Sequence, residues 1–189
     1  MKSIAIFISG RGTNMQAIVN QIKNGILQNL CQVALVFSNN CHASGLTIAK
    51  DNGLQTMCLE AKGKKRTEYD REVLSILEPL KVDFVILAGY MRILSHEFIR
   101  AYPNRIINIH PADTRLYQGL HAYEWAFKNE LKTTTITVHY VDEGIDTGQI
   151  IAQQAVDLAG TNSLDEVEQR GLQIEYELYS KTLADLFAD

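Results

Sequence analysis

The chain has 189 residues, 46% of them hydrophobic and 21% charged, with a formal net charge of −4. That size suits a single domain over 1–189 with a substantial core, and that charge does not favour a broad nucleic-acid surface. No apolar run reaches the roughly 18 residues a membrane span needs, and no leader pattern precedes the first strand pattern, so a cytoplasmic enzyme or binding domain is expected.

Taken in order, SIAIFIS (3–9) is rich in β-branched and aromatic residues and reads as a strand. Ser9-Gly10-Arg11-Gly12-Thr13-Asn14 follows as a glycine turn. It lacks the third glycine of GxGxxG and is not a P-loop. Free backbone N–H groups at a helix start still suit a phosphate. A plain turn capped by Thr13 or Asn14 is the competing reading. NMQAIVNQIKNG (14–25) has helical spacing and CQVALVFSN (31–39) is strand-like. SGLTIAKDNG (44–53) is a short helix and QTMCLE (55–60) a third strand. KGKKR (62–66) is the only basic run and reads as a solvated loop. TEYDREVLSILEPLK (67–81) is a helix with Thr67 as candidate N-cap.

VDFVILAG (82–89) is a fourth strand, followed by Tyr90-Met91-Arg92-Ile93-Leu94, whose apolar residues belong in core helix or in a cofactor slot. A short helix (95–102) leads to the fifth strand, RIINIH (105–110). A helical stretch (121–130) precedes TTTITVHYV (133–141) and QIIAQQAVDL (149–158), with an antiparallel edge as one way to place these last strands. Ser163-Leu164-Asp165-Glu166 is a capping-box pattern opening a final helix. Buried-type strands alternating with helices predict an α/β fold. The expected form is a Rossmann-like, mostly parallel sheet with helices on both faces. Ligands then bind at the carboxyl ends of the strands.

Period 2 puts Asn108 and His110 on one side of the fifth strand, which Pro111 stops. The loop VDEGIDTGQ (141–149) carries Asp142, Glu143 and Asp146 between strands; a solvated acidic turn is its bland reading. An amide, an imidazole and a carboxylate together can manage a carbonyl becoming an oxyanion. The carboxylate favours imidazolium, and the imidazolium and amide donate to the oxyanion. No serine or cysteine stands as an obvious nucleophile, so the attacking group would come from the substrate. That describes direct acyl transfer. His110, His121, His139 and Asp146 lack the spacing of a metal site. His139, inside a strand, reads as a satisfied core histidine. Cys31, Cys41 and Cys58 form no CxxC pair and no disulfide framework, and Cys31 and Cys58 read as buried thiols.

ISGRGTN (8–14), VFSN (36–39), LAGYMRIL (87–94), NIHP (108–111), TVHYVDEGIDTGQII (137–151) and IEYELY (174–179) fall in an order and spacing that resembles the folate-dependent formyltransferases, over nearly the whole chain. The resemblance implies formyl transfer from 10-formyltetrahydrofolate to the amine of phosphoribosylglycinamide, with no metal. It implies a catalytic triad of Asn108, His110 and Asp146. It implies a ribose-phosphate loop of Gly12, Thr13 and Asn14, and Glu175 as the carboxylate holding the glycinamide end of the acceptor. Arg66, Met91, Arg92, Ile93, Leu94, Asp142 and Glu143 match folate-binding elements. Small-molecule substrates, no nucleic acid or membrane partner, and a monomer or homodimer are expected. The alternatives are transfer to another small phosphorylated amine or a sugar nucleotide, formate release by hydrolysis, and a non-catalytic folate or nucleotide sensor. One segment departs from the family. Its small-apolar-proline run after His-Pro is replaced by Ala112-Asp113-Thr114-Arg115-Leu116-Tyr117-Gln118. There Asp113 and Arg115 either pair locally or leave Arg115 to meet a substrate anion.

Overall fold

The apolar runs become strands β1 (Lys2–Ile8), β2 (Cys31–Ser38), β3 (Thr56–Cys58), β4 (Phe84–Leu87), β5 (Ile106–His110), β6 (Thr133–Tyr140) and β7 (Ile150–Asp157). Between and after them run helices α1 (Thr13–Asn24), α2 (Ser44–Asp51), α3 (Arg66–Leu77), α4 (His96–Ala101), α5 (Ala122–Lys128) and α6 (Leu164–Ala188). The computed structural model describes residues 1–188. One sheet holds the strands in the order β3-β2-β1-β4-β5-β6-β7. β1 to β5 pair in parallel, and β6 and β7 add the antiparallel edge. The strand order reverses between β1 and β4, and a crevice opens there at the carboxyl ends of an α/β sheet.

Both faces of the central strands are buried, which is why their sequences run continuously apolar. On one face Ile4, Ile6, Ile8, Ile107, Ile109, Ile136 and Val138 pack under α1, α2, α5 and α6. On the other, Ala5, Phe7, Leu35, Phe37, Val85, Leu87 and Ile106 pack under α3 and α4. Among the described residues, this second layer contains no buried member of β6 or β7. The same face of β5 and β6 therefore presents polar side chains instead of a helix contact.

α6 locks to the sheet through Tyr179, whose side chain is fully buried. Its hydroxyl proton is shared between the Leu87 carbonyl at 3.0 Å and the Ile107 carbonyl at 2.9 Å, so one side chain ties β4 to β5 beside the crevice. Tyr179→Phe leaves two buried carbonyls short of a donor. It should cost about 1–3 kcal/mol, read as a lower urea midpoint with an unchanged slope. An unchanged midpoint would mean that other contacts satisfy those carbonyls.

Two local expectations are corrected. α3 begins at Arg66, one residue before the expected cap Thr67; the Glu68 carboxylate reaches back to the Lys65 backbone N–H at 3.2 Å and fixes the earlier start. Cys58 is not a free thiol, because it forms a disulfide with Cys41. Parallel register sets Ser38 beside Cys58, so the loop just after β2 lies against the end of β3. That neighbourhood is a property of strand pairing, which residue spacing does not display. Cys31 is the buried thiol expected, and burial pushes it up to about 11. The capping box at α6 forms with a one-residue offset. Ser163 Oγ accepts from Glu166 N–H at 3.2 Å, and the Glu166 carboxylate accepts from Asn162 N–H at 2.6 Å.

Candidate active site

The exposed carboxyl end of β4 and β5 opens into a cavity of about 440 Å³, within the range of small-molecule sites. Its walls come from two loops and a polar floor. The first loop, after β4, includes Gly89 at φ +79°, a left-handed value that glycine adopts without strain. From this turn Met91 and Ile93 project half-exposed, while Tyr90 and Leu94 point inward and are buried. Arg92 lies over the Tyr69 ring at 4.4 Å. The second loop, after β6, places Ile145 at the rim. Asp142 accepts from Gly144 N–H at 3.1 Å and Thr147 Oγ1 at 2.7 Å, holding this loop in a tight turn.

The floor is a polar cluster set by strand pairing. β5 runs antiparallel to β6 with Asn108 opposite His139 and His110 opposite Thr137. All four share the face left bare by α3 and α4. Asp146, in the left-handed region at φ +51°, turns its carboxylate onto this face. Its Oδ2 lies 3.4 Å from His110 Nδ1 and accepts from Gly119 N–H at 2.9 Å. Its Oδ1 accepts from Asn108 Nδ2 at 3.3 Å and lies 3.5 Å from His139 Nε2. Asn108, His110 and Asp146 thus meet at one point.

The protonation of the cluster follows from its partners. His110 Nε2 sits 3.1 Å from the Tyr117 carbonyl. A carbonyl and a carboxylate only accept, so the doubly protonated ring alone satisfies both neighbours of His110. Burial opposes that charge and is the larger effect. It pulls His110 below its ordinary value, while Asp146 and the Tyr117 carbonyl pull it back up. The expected lift from Asp146 is present but does not win. Burial also works against the charge on Asp146. His139, the Gly119 amide and His110 outweigh it and hold that carboxyl below its ordinary value.

His139 is more than a core histidine. It is buried, and its Nδ1 faces the Tyr140 carbonyl at 2.8 Å, so Nδ1 carries the proton. Its Nε2 lies 3.3 Å from Asn108 Nδ2 and 3.5 Å from Asp146 Oδ1, between the amide and the carboxylate. Its signal in the sequence is the alternation Thr137, His139, which matches the face of a paired strand carrying Asn108 and His110.

The glycine turn lies beside the cavity rather than in its wall. Ser9 links the two: its Oγ donates to Asn39 Oδ1 at 2.6 Å and accepts from Met91 N–H at 2.8 Å. Gly12 is left-handed at φ +73° and opens α1. The amides of Thr13, Asn14 and Met15 have no acceptor within the helix, as at any helix start. Gly45, not singled out in the sequence, packs its backbone on this turn. It donates to the Gly10 carbonyl at 3.0 Å, and a Cβ at either Gly12 or Gly45 would press on the other's backbone. Glu175 approaches the same turn from α6; it is buried and accepts from Asn14 Nδ2 at 2.5 Å.

Two side chains expected at the folate site stand away from the cavity lining. Arg66 opens α3 and is exposed. Glu143 also points outward, pairing with His96 at 2.7 Å. The divergent loop packs on the site through its backbone and through Tyr117, which stacks on Trp125 with ring centroids 4.7 Å apart. Arg115 forms a two-pronged pair with Asp113 at 2.9 and 2.7 Å, holding that carboxyl down at about 2. Of the two readings of Arg115, the local pair is the one found.

The family model for formyl transferases matches residues 2–183. The phosphoribosylglycinamide formyltransferase of Haemophilus influenzae is 37% identical over 180 residues, 95% of this chain and 84% of that protein. The trifunctional purine biosynthetic protein adenosine-3 of Drosophila pseudoobscura pseudoobscura is 37% identical over 184 residues, 97% of this chain. The chain spans only 14% of that protein's length. The crystal structure of phosphoribosylglycinamide formyltransferase from Bacillus halodurans matches with a TM-score of 0.92 at 40% identity, over 98% of this chain and 95% of that one.

Proposed function

The chain belongs to the formyl transferase family, and from that premise we propose that it moves a formyl group from 10-formyltetrahydrofolate to the amine of phosphoribosylglycinamide, a step of purine biosynthesis. The observation that carries the reading is the convergence of Asn108, His110 and Asp146 on the floor of a cavity with largely apolar walls. A folate presents a flat ring edged with hydrogen-bonding groups. Leu87, Met91, Ile93, Leu94, Val141 and Ile145 supply apolar walls for such a ring, and the backbone of both loops supplies polar edges. Arg92 belongs to the same loop. Arg66 and Glu143 are left out of this set.

The acceptor amine attacks the formyl carbon, forming a carbon–nitrogen bond and a tetrahedral oxyanion. His110 donates through Nε2–H, along the direction now taken by the Tyr117 carbonyl. The doubly protonated ring makes this donation and keeps its proton count, its Nδ1–H facing the Asp146 carboxylate, which favours that form. Asn108 exchanges one of its 3.3 Å contacts, long for a hydrogen bond, for the oxyanion. Asp146, directly or through a water, takes the proton of the attacking nitrogen and returns it to the leaving one. The original carbon–nitrogen bond then breaks. The amides opening α1 and the hydroxyl of Thr13 hold the acceptor phosphate, Gly12 lets the backbone approach, and Asn14 and Glu175 hold the rest of the acceptor.

The test is a turnover assay of the purified protein with 10-formyltetrahydrofolate and a panel of phosphoribosylglycinamide, an amino sugar nucleotide and water alone. Formyl transfer to phosphoribosylglycinamide is expected. Transfer to the sugar nucleotide, formate release, or ligand binding without turnover would each replace this reading with a specific other one.

A further inference from the structure

Glu175 is held from two sides. Its Oε2 accepts from Asn14 Nδ2 at 2.5 Å, and its Oε1 accepts from the Tyr123 hydroxyl on α5. All three side chains are more than nine-tenths buried. Gly171 lies one helical turn before Glu175 on the same face of α6, and a methyl group there would overlap the Tyr123 ring. The absence of a side chain at 171 is therefore what seats the tyrosine. One polar atom of the group has no partner: Asn14 Oδ1, which is buried.

We propose that Tyr123 is a positioning residue for acceptor binding: its hydroxyl fixes the Glu175 carboxylate, which orients the Asn14 amide so that Asn14 Oδ1 receives a hydrogen-bond donor of the acceptor. This rests on the acceptor reading above. An amide group is planar, so anchoring Nδ2 on Glu175 also sets the direction of Oδ1. A buried carbonyl oxygen without a donor carries an unmet desolvation cost in the free protein. A sugar hydroxyl or amide N–H arriving at the start of α1 removes that cost, so binding discriminates in favour of an acceptor with a donor at this position. Glu175 can do this only while its carboxylate stays put. Burial pushes its carboxyl up, and the Tyr123 and Asn14 donors pull it back down. Without the tyrosine hydroxyl, Glu175 keeps one donor and is free to rotate or to take up a proton.

Tyr123→Phe removes the hydroxyl and keeps the ring. The acceptor KM should rise by roughly tenfold or more, the scale of one hydrogen bond to a charged group, with kcat and the folate KM unchanged. Gly171→Ala, which displaces the ring and leaves its hydroxyl, should give the same split. A purely structural tyrosine would lower thermal stability and move both KM values together, and that result overturns the proposal. So does an unchanged acceptor KM. A second readout needs no turnover: the side-chain amide resonances of Asn14 should shift in Tyr123→Phe, and unmoved resonances refute the coupling. If the wild-type protein transfers nothing to phosphoribosylglycinamide, it is the acceptor reading that fails, and the Asn14 resonances still decide the role of Tyr123.

Discussion

Asp146→Asn is expected to reduce turnover by roughly 10²- to 10⁴-fold while leaving the fold intact. The replacement keeps the volume and a hydrogen-bonding head on a loop already held by Asp142. What it removes is charge. Among the described residues, Asp146 is the one carboxylate paired with His110, and it is the leading influence lifting that ring's proton affinity against burial. Without it, His110 should titrate at a still lower pH, and the attacking nitrogen loses its proton carrier. His110→Ala alone should also be severe. The two changes together should cost little more than the worse one, because groups that act as a unit share one transition state. A double-mutant cycle on kcat checks this, with an NMR titration of His110 in Asp146→Asn. Fully additive losses, or an unmoved His110 titration, would separate the two residues.

Asn108→Ala should lower kcat by about 10²- to 10³-fold, the usual loss for one donor to a developing oxyanion. Both KM values should change little, since the ground-state carbonyl makes weaker use of the same hydrogen bond. The amide also steadies the floor of the cavity, giving an N–H to Asp146 and lying 3.3 Å from His139 Nε2. A kinetic comparison with His139→Ala separates these duties. That variant loses the contacts of the ring with the amide and with Asp146 but keeps the amide itself, and should fall well short of the Asn108→Ala loss. Near-normal turnover in Asn108→Ala would take the amide out of the chemistry altogether.

Much of this arrangement is legible in the order of residues alone. Continuous apolar strands between amphipathic helices are a direct imprint of two-sided burial, so β1 to β5 and their helices stand where the pattern puts them. Period 2 places Asn108 and His110 together because side-chain alternation is a local property of a strand. What escapes is everything that depends on which strands lie side by side. His139 is indistinguishable from a core histidine until β6 is laid against β5. The Cys41–Cys58 bond follows from the β2–β3 pairing and Gly45 from the contact of two turns. Arg66 is a different case: its place at the exposed start of α3 depends on a helix boundary, which sequence patterns locate least sharply.

The pairing of Asn108 with His139 and of His110 with Thr137 has a consequence for how such a chain can change over time. One inserted or deleted residue within β5 or β6 would send their polar side chains to the opposite face of the sheet, into the layer under α6. No single substitution could repair that. Between these strands, by contrast, the segment from Ala112 to Gln118 touches His110 through a backbone carbonyl, and its neighbour Gly119 touches Asp146 through a backbone N–H. Main-chain contacts of this kind survive almost any exchange of side chain. A lineage can therefore rewrite that loop, prolines included, without disturbing the cluster below it, while its strands must keep their length.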